Sequence, residues 1–201
     1  LLLDILRERC RHLGEARPRL LDLGSGTGAN SVAYCAIAHV VAMEPAADAV
    51  RHARARPGPM YSRGEGTRLP FADQVFHVVV ASDVLEHIAD DARAVREVAR
   101  VLGPRGIFVF SVPAYQWLWS GHDEALMHYR RYERKTIRRL LEDAGFRLGW
   151  LSYWNTVLFP VAAMRRLADR TFRVGEPASD VAPAGPVATR ALLLLLRTEG
   201  L

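Results

Sequence analysis

Two cysteines, Cys10 and Cys35, are all that the 201 residues contain, too few for a disulfide framework or a cysteine-built zinc site. A reducing, cytoplasmic setting is the expectation. No apolar run reaches the roughly 18 to 20 residues that cross a bilayer, and the charged, apolar, small-residue succession of a signal peptide is missing. The chain is therefore not expected to be transmembrane. Lysine is almost absent too: Lys135 stands alone, so the formal charge of +5 rests on arginines scattered along the sequence. No basic cluster is interleaved with aromatics, which argues against a nucleic-acid partner. An initiating methionine is also lacking, and the opening LLLDILRERC reads as the inside of an amphipathic helix, so residues are expected before Leu1. What the chain has in plenty is apolar surface. Half its residues are hydrophobic, which excludes disorder throughout and suits one domain of ordinary size around a single core.

The stretch LLDLGSGTGAN, residues 20–30, is the most informative. Leu20, Leu21 and Leu23 form a short apolar run suited to a buried strand. Gly24, Gly26 and Gly28 then permit a tight turn, and residues 29–38 continue as an apolar helix. Glycines at such a turn remove the Cβ atoms that would keep a ligand off the backbone, and free N–H groups at a helix start point into the same space. A nucleotide-sized seat is predicted there. A second apolar strand, residues 39–43, ends in Glu44, 22 positions after Asp22, where a carboxylate can accept hydrogen bonds from both hydroxyls of a ribose.

Further along, helix and strand patterns alternate. Helices are expected over residues 1–13, 45–55 and 90–102, with Asp90 as N-cap of the third, and strands over residues 60–63, 75–81, 106–112 and 146–153. The run Val78, Val79, Val80 suits a strand buried on both faces, and Ile137, Leu140, Leu141 and Ala144 mark a helix ended by Gly145. This alternation predicts an α/β, doubly wound, mostly parallel sheet. Residues 114–131, AYQWLWSGHDEALMHYRR, break the pattern and concentrate aromatic and ionisable groups, as a lid or substrate wall beside a sheet's ligand edge would. A core of residues 1–154, including a lid at 113–132, is expected to be followed by apolar helices over 155–201, with a Pro- and Gly-rich linker at 175–186 and five consecutive leucines near the end. Those leucines read first as a packing helix, with peripheral membrane contact as the other reading.

The pattern D-x-G-x-G-x-G from Asp22 to Gly28, with Glu44 and the block GEGTRLPFADQVFHVVVASDVLEHI, resembles the class I S-adenosylmethionine-dependent methyltransferases, and the segment VPAYQWLWSGHDEALMHYRRY is similar to one in small bacterial members of the methyltransferase type 11 group. The resemblance covers roughly residues 20–153. It implies a Rossmann-like sheet of methyltransferase order, whose last strand is missing from the given chain or lies beyond Leu201, and S-adenosyl-L-methionine as cofactor. It places cofactor contacts on Asp22, Gly24, Ser25, Gly26, Gly28 and Asn30 after the first strand, on Glu44 and Pro45 after the second, on Glu65, Gly66 and Thr67 after the third, and on Ser82, Asp83 and Val84 after the fourth. Glu65 stands where aspartate is more frequent in the family, and His77 where aspartate is usual.

Methyl transfer from a sulfonium is an in-line displacement, so positioning the acceptor and removing its proton are what side chains can add. His87, His122 and His128 are the expected catalytic groups, since imidazole titrates near neutrality. Tyr115, Trp117, Trp119, Asp123, Tyr129, Arg130 and Tyr132 are expected to line the acceptor, a small organic molecule of polyketide, isoprenoid or glycolipid character. Asp83, Glu86 and His87, at i, i+3 and i+4, would share one helix face and resemble a metal-using stretch of ubiquinone-pathway O-methyltransferases; the expectation is nevertheless that no metal is bound. A homodimer stays open. Two other readings stand beside the enzyme: a subunit that binds the cofactor without catalysis, and an oxidoreductase, which Asp22 and the lack of a second substrate domain disfavour.

Overall fold

The computed structural model describes residues 2–154 together with 156, 159, 160, 163 and 164. Within them, five strands form one sheet: β1 (Arg19–Leu23), β2 (His39–Glu44), β3 (Met60–Arg63), β4 (Phe76–Ser82) and β5 (Leu102–Ser111), in the order β3-β2-β1-β4-β5. All four pairings are parallel. The chain runs outward from β1 to one edge and then returns to its other side, so the order reverses beside β1. In open parallel sheets the crevice beyond the carboxyl ends of the strands at such a reversal is where ligands bind.

Alternation along the strands decides which side chain enters which layer. Leu20, Val78 and Val80 face a layer with Leu6, Cys10, Tyr34, Ala38 and Val40, which brings α1 (Leu2–Arg11) and α2 (Ala29–Tyr34) against the sheet. Leu21, Leu23, Val79 and Ala81 face the opposite layer, with Phe76, Val98 and Val101, where α4 (Asp91–Val101) packs. Both faces of the central strands are thus covered, as their unbroken apolar runs require. The remaining helices are α3 (Ala47–Ala53), α5 (Gly121–Ala125) and α6 (Arg134–Asp143). Asp90 caps α4 by accepting the Arg93 N–H at 2.9 Å.

Four expectations are revised. Residues 146–153 form no strand. After Gly145, at φ +89, the Phe146 N–H bonds the Leu141 carbonyl, and Phe146, Leu148 and Leu151 fold onto the cluster of Ile137, Leu141 and Leu85. Their apolar spacing serves packing on α6 instead of strand pairing. Helix α2 stops at Tyr34 and α3 covers only Ala47–Ala53, shorter than the apolar patterns suggested. Strand β5 starts at Leu102, with a register irregularity before its main pairing from Ile107 onward. Asp83, Glu86 and His87 do not share a helix face, because Asp83 sits at φ +53 and only a single 3-10 turn, Leu85–His87, follows it. The helices and linker expected over 155–201 lie outside the described residues apart from the isolated positions named above.

Candidate active site

The turn after β1 is built on three left-handed glycines, Gly24 at φ +70, Gly26 at +53 and Gly28 at +79. They do different work. A Cβ on Gly24 would stand 2.5 Å from Val84 Cγ2, and one on Gly28 2.7 Å from the Tyr61 hydroxyl, so these two let neighbouring loops close on the turn. A Cβ on Gly26 would meet nothing within 4 Å. Its backbone faces the open side of the crevice. The Glu44 carboxylate, at the end of β2, ties this turn to the next loop by accepting the Gly26 N–H and the Ala46 N–H, each at 3.0 Å. Beneath the turn Asp22 is 4% exposed and accepts the Ser31 hydroxyl at 2.5 Å. Burial raises its carboxyl to about 6, against which the Ser31 hydrogen bond acts. Ser31 escaped the sequence reading, although a hydroxyl one turn into the helix is a signal that could have found it.

The other expected cofactor positions cluster at the same edge. Pro45 and Glu65 are exposed, Thr67 is half-buried, and Asn30 is exposed in the first turn of α2. A Cβ on Gly66 would come within 2.8 Å of Ile88 Cδ1. At the ends of β4 and β5 the Ser82 and Ser111 hydroxyls are 3.1 Å apart, and the Asp83 N–H donates to the Ser111 carbonyl at 3.0 Å. No motif singles out Ser111 in the sequence. Ser25 Oγ is buried with no partner among the described residues. A hydroxyl in want of a partner beside a backbone with open space above it fits an adenosine-type cofactor. His77 is at the far end of β4, where its Nδ1 accepts the Arg19 N–H at 3.0 Å. The departure at that position lies away from the crevice.

The segment expected to line an acceptor begins where β5 ends. Residues 113–132 leave and return to one point: Ala114 bridges Tyr132, the Tyr115 N–H donates to the Tyr132 carbonyl at 3.0 Å, and the Tyr132 N–H to the Pro113 carbonyl at 2.8 Å. Within this loop, Ser120 and Asp123 form a capping box at α5. Asp123, fully buried, also accepts Arg131 Nε at 2.7 Å and faces His128 Nδ1 at 3.0 Å. Burial by itself would raise its pKa, but the Arg131 and His128 hydrogen bonds outweigh it and hold Asp123 below the usual carboxylate range. It is therefore ionised and can only accept, so His128 Nδ1 donates the hydrogen bond between them.

His128 meets His87 edge to face, with ring centroids 4.6 Å apart. Burial, and then His128, lower the His87 pKa, which keeps that imidazole neutral. Glu86 is 1% exposed, its Oε2 has no partner among the described residues, and burial raises its pKa to about 8. The Tyr129 N–H binds the Glu86 carbonyl at 2.8 Å, which ties the loop to the turn after β4. His87 and His128 are thus brought together, while His122 heads α5 outside this pair, with its Nδ1 buried and unpartnered. Tyr132 and Arg130 brace the segment, both reaching Asp91, the former through its hydroxyl at 2.7 Å and the latter at 2.8 Å. Tyr115 stacks on Tyr153 at 5.2 Å and lies 6.1 Å from Trp117, and Phe159 approaches both rings. Trp119 Nε1 donates to Glu124 at 3.4 Å, and Tyr129 is exposed beneath the Arg130 guanidinium.

A family model described as a methyltransferase domain, Methyltransf_11, matches residues 21–110. Relatives include an uncharacterized methyltransferase of Mycolicibacterium vanbaalenii, 37% identical over 140 residues, covering 63% of this chain and 54% of the relative. Another, named "Probable S-adenosylmethionine-dependent methyltransferase Rv3030", comes from Mycobacterium tuberculosis and is 36% identical over 126 residues, covering 61% of this chain and 46% of its own. The chain spans about half the length of the curated relatives it matches. In fold it is similar to the YcgJ protein of Bacillus subtilis, with a TM-score of 0.68 at 20% identity over 94% of this chain and 86% of that one. It is also similar to the [4+2]-cyclase SpnF, at TM-score 0.63 and 23% identity over 84% of this chain and 66% of that one. The sheet, the glycine seat and these likenesses define a class I S-adenosylmethionine-dependent methyltransferase domain. Residues 21–110 thus carry a Methyltransf_11 methyltransferase domain, and the Mycobacterium tuberculosis relative is named as S-adenosylmethionine-dependent.

Proposed function

We propose that the protein transfers the cofactor's methyl group to a nucleophilic atom of a small organic acceptor held above the ends of β4 and β5. The sulfur–carbon bond breaks as the acceptor–carbon bond forms, the cofactor leaves as the neutral thioether, and the acceptor's proton passes to the imidazole pair. One observation carries this reading: His87, in the turn after β4, meets His128 of the segment after β5, which Asp123 orients, and β4 lies next to β1, whose following turn is the glycine seat. The fold alone does not select methyl transfer, since a neighbour of the same fold is named a cyclase. An imidazole pair held in place by a carboxylate beside the seat favours it over a subunit that only binds cofactor.

The Tyr115, Trp117, Tyr153 and Phe159 rings favour an apolar or ring-bearing acceptor of polyketide, isoprenoid or glycolipid character. Among the described residues no helix is long and apolar enough to cross a membrane. Incubation with methyl-labelled cofactor and fractionated small-molecule extract tests the proposal. A labelled product should form, and His128→Ala should lower its rate far more than it lowers S-adenosylhomocysteine affinity. Label that never leaves the cofactor in any fraction would establish the binding-only role instead.

A further inference from the structure

We infer that Glu86, His87 and His128 form a site for one divalent transition-metal cation. Their ligand atoms, one from each side chain, all lie within 4.8 Å of one another. Two imidazole nitrogens and one carboxylate oxygen on one side of a cation leave its other positions open, which is the donor set that zinc, cobalt, nickel, manganese and iron(II) accept. The three atoms need close by at most about 1.5 Å to stand at the roughly 3.3 Å spacing of ligands about 2.1 Å from a common ion.

Three independent features support a cation over a chance meeting of side chains. Glu86 is 1% exposed and its Oε2 has no hydrogen-bond partner among the described residues, an arrangement that is unfavourable unless something binds that oxygen. The Asp123 carboxylate fixes His128 through Nδ1 at 3.0 Å, and Asp123 is itself held by Arg131 and the Ser120 N–H. That is the carboxylate–histidine support through which metal-binding imidazoles are oriented, with Nε2 pointed at the ion. Finally, the Asp83 and Asp123 carboxylates act on Glu86 against the single Arg131 guanidinium. The surroundings suit a positive ion.

The use of the cation rests on the methyl-transfer reading; its binding does not. An acceptor hydroxyl bound at an open position would give up its proton to solvent, and the oxygen would then attack the methyl carbon. In that state the imidazoles serve as ligands, and the cation draws the proton off in place of a free ring nitrogen.

The test uses the full chain without a histidine tag, stripped with chelator and titrated with Co²⁺ by calorimetry and visible absorption. One equivalent should bind saturably at micromolar concentrations, with d–d bands of a nitrogen- and oxygen-ligated ion. Glu86→Gln and His128→Ala should each weaken binding at least tenfold, and Asp123→Asn should weaken it about 10- to 100-fold. Unchanged S-adenosylhomocysteine affinity in each variant reports an intact fold, and where Glu86→Gln does not fold, His128→Ala decides. No saturable binding up to millimolar Co²⁺, or binding that Glu86→Gln and His128→Ala leave untouched, overturns the site. Wild-type protein that binds Co²⁺ and not S-adenosylhomocysteine would instead sink the methyltransferase reading and leave the cation site standing.

Discussion

Replacing Asp22 by asparagine isolates the energetic consequence of burying an acid under the cofactor turn. Burial raises the Asp22 carboxyl from 3.8 to about 6 in the folded chain. Between those values the folded state holds a proton that the unfolded state has released, so stability falls as pH rises through this window and stays low above it. At about 1.4 kcal/mol per pH unit the full loss is about 3 kcal/mol, of which about 2 kcal/mol falls between pH 4.5 and pH 7.5. Asparagine keeps a carbonyl oxygen for the Ser31 hydroxyl, which reaches Asp22 at 2.5 Å, but does not titrate. Glu86, also raised by burial, titrates alike in both proteins and cancels in the difference. Urea denaturation of cofactor-free wild type and Asp22→Asn, followed by far-UV circular dichroism at half-unit steps of pH, should show the variant gaining about 2 kcal/mol on the wild type from pH 4.5 to 7.5. Parallel profiles would refute the buried, proton-holding Asp22.

Two glycines should respond to the same substitution in opposite ways. Gly26→Val should lower S-adenosylhomocysteine affinity at least tenfold with a modest shift in melting temperature, because its Cβ enters open space, whereas Gly24→Val should chiefly destabilise the fold, since its Cβ would stand 2.5 Å from Val84. Calorimetry and thermal melts separate the two effects. Phe76 is buried at the start of β4 and packs edge-on against Phe71 at 5.0 Å, so Phe76→Ala should cost about 3 to 5 kcal/mol by urea denaturation. A cost under about 1 kcal/mol would mean that this end of the core collapses around the gap.

The cofactor half of the molecule was legible in the sequence because its information is local. Strand, glycine turn and helix follow one another within residues 20–34, and alternating apolar runs were enough to order the parallel sheet around them. The acceptor half is held together by contacts between residues far apart in sequence. Nothing local announces that the Tyr132 hydroxyl reaches Asp91, 41 residues earlier, or that Arg130 turns to the same carboxylate. Arg100 makes the same point. On an amphipathic helix it reads as solvent-facing, yet its guanidinium grips Asp73 and the carbonyls of Phe71 and Leu69 and so pins the loop before β4. Residues 146–153 failed as a strand for a related reason: their spacing fits a pleat, but α6 offers them an apolar surface to cover.

Backbone conformation separates the two halves on chemical grounds. In the turn after β1 every left-handed position is a glycine, Gly24, Gly26 and Gly28. Elsewhere four left-handed residues among those described carry side chains: Gln74 at φ +58, Asp83 at +53, Tyr115 at +62 and Met127 at +55. Each costs about 1 to 2 kcal/mol over a relaxed backbone, a cost glycine would remove. Tyr115 shows what glycine would also remove. Its ring stacks on Tyr153 and lies against Phe159, so the strained turn at the end of β5 is what sets an aromatic wall above the strand ends. Asp83 likewise lets the chain leave β4 sharply, with its N–H on Ser111, and delivers Glu86 and His87 to His128 within the next four residues. At Asp83 and Tyr115 the strain is therefore spent where side chains are brought together, and the glycine turn after β1 avoids it.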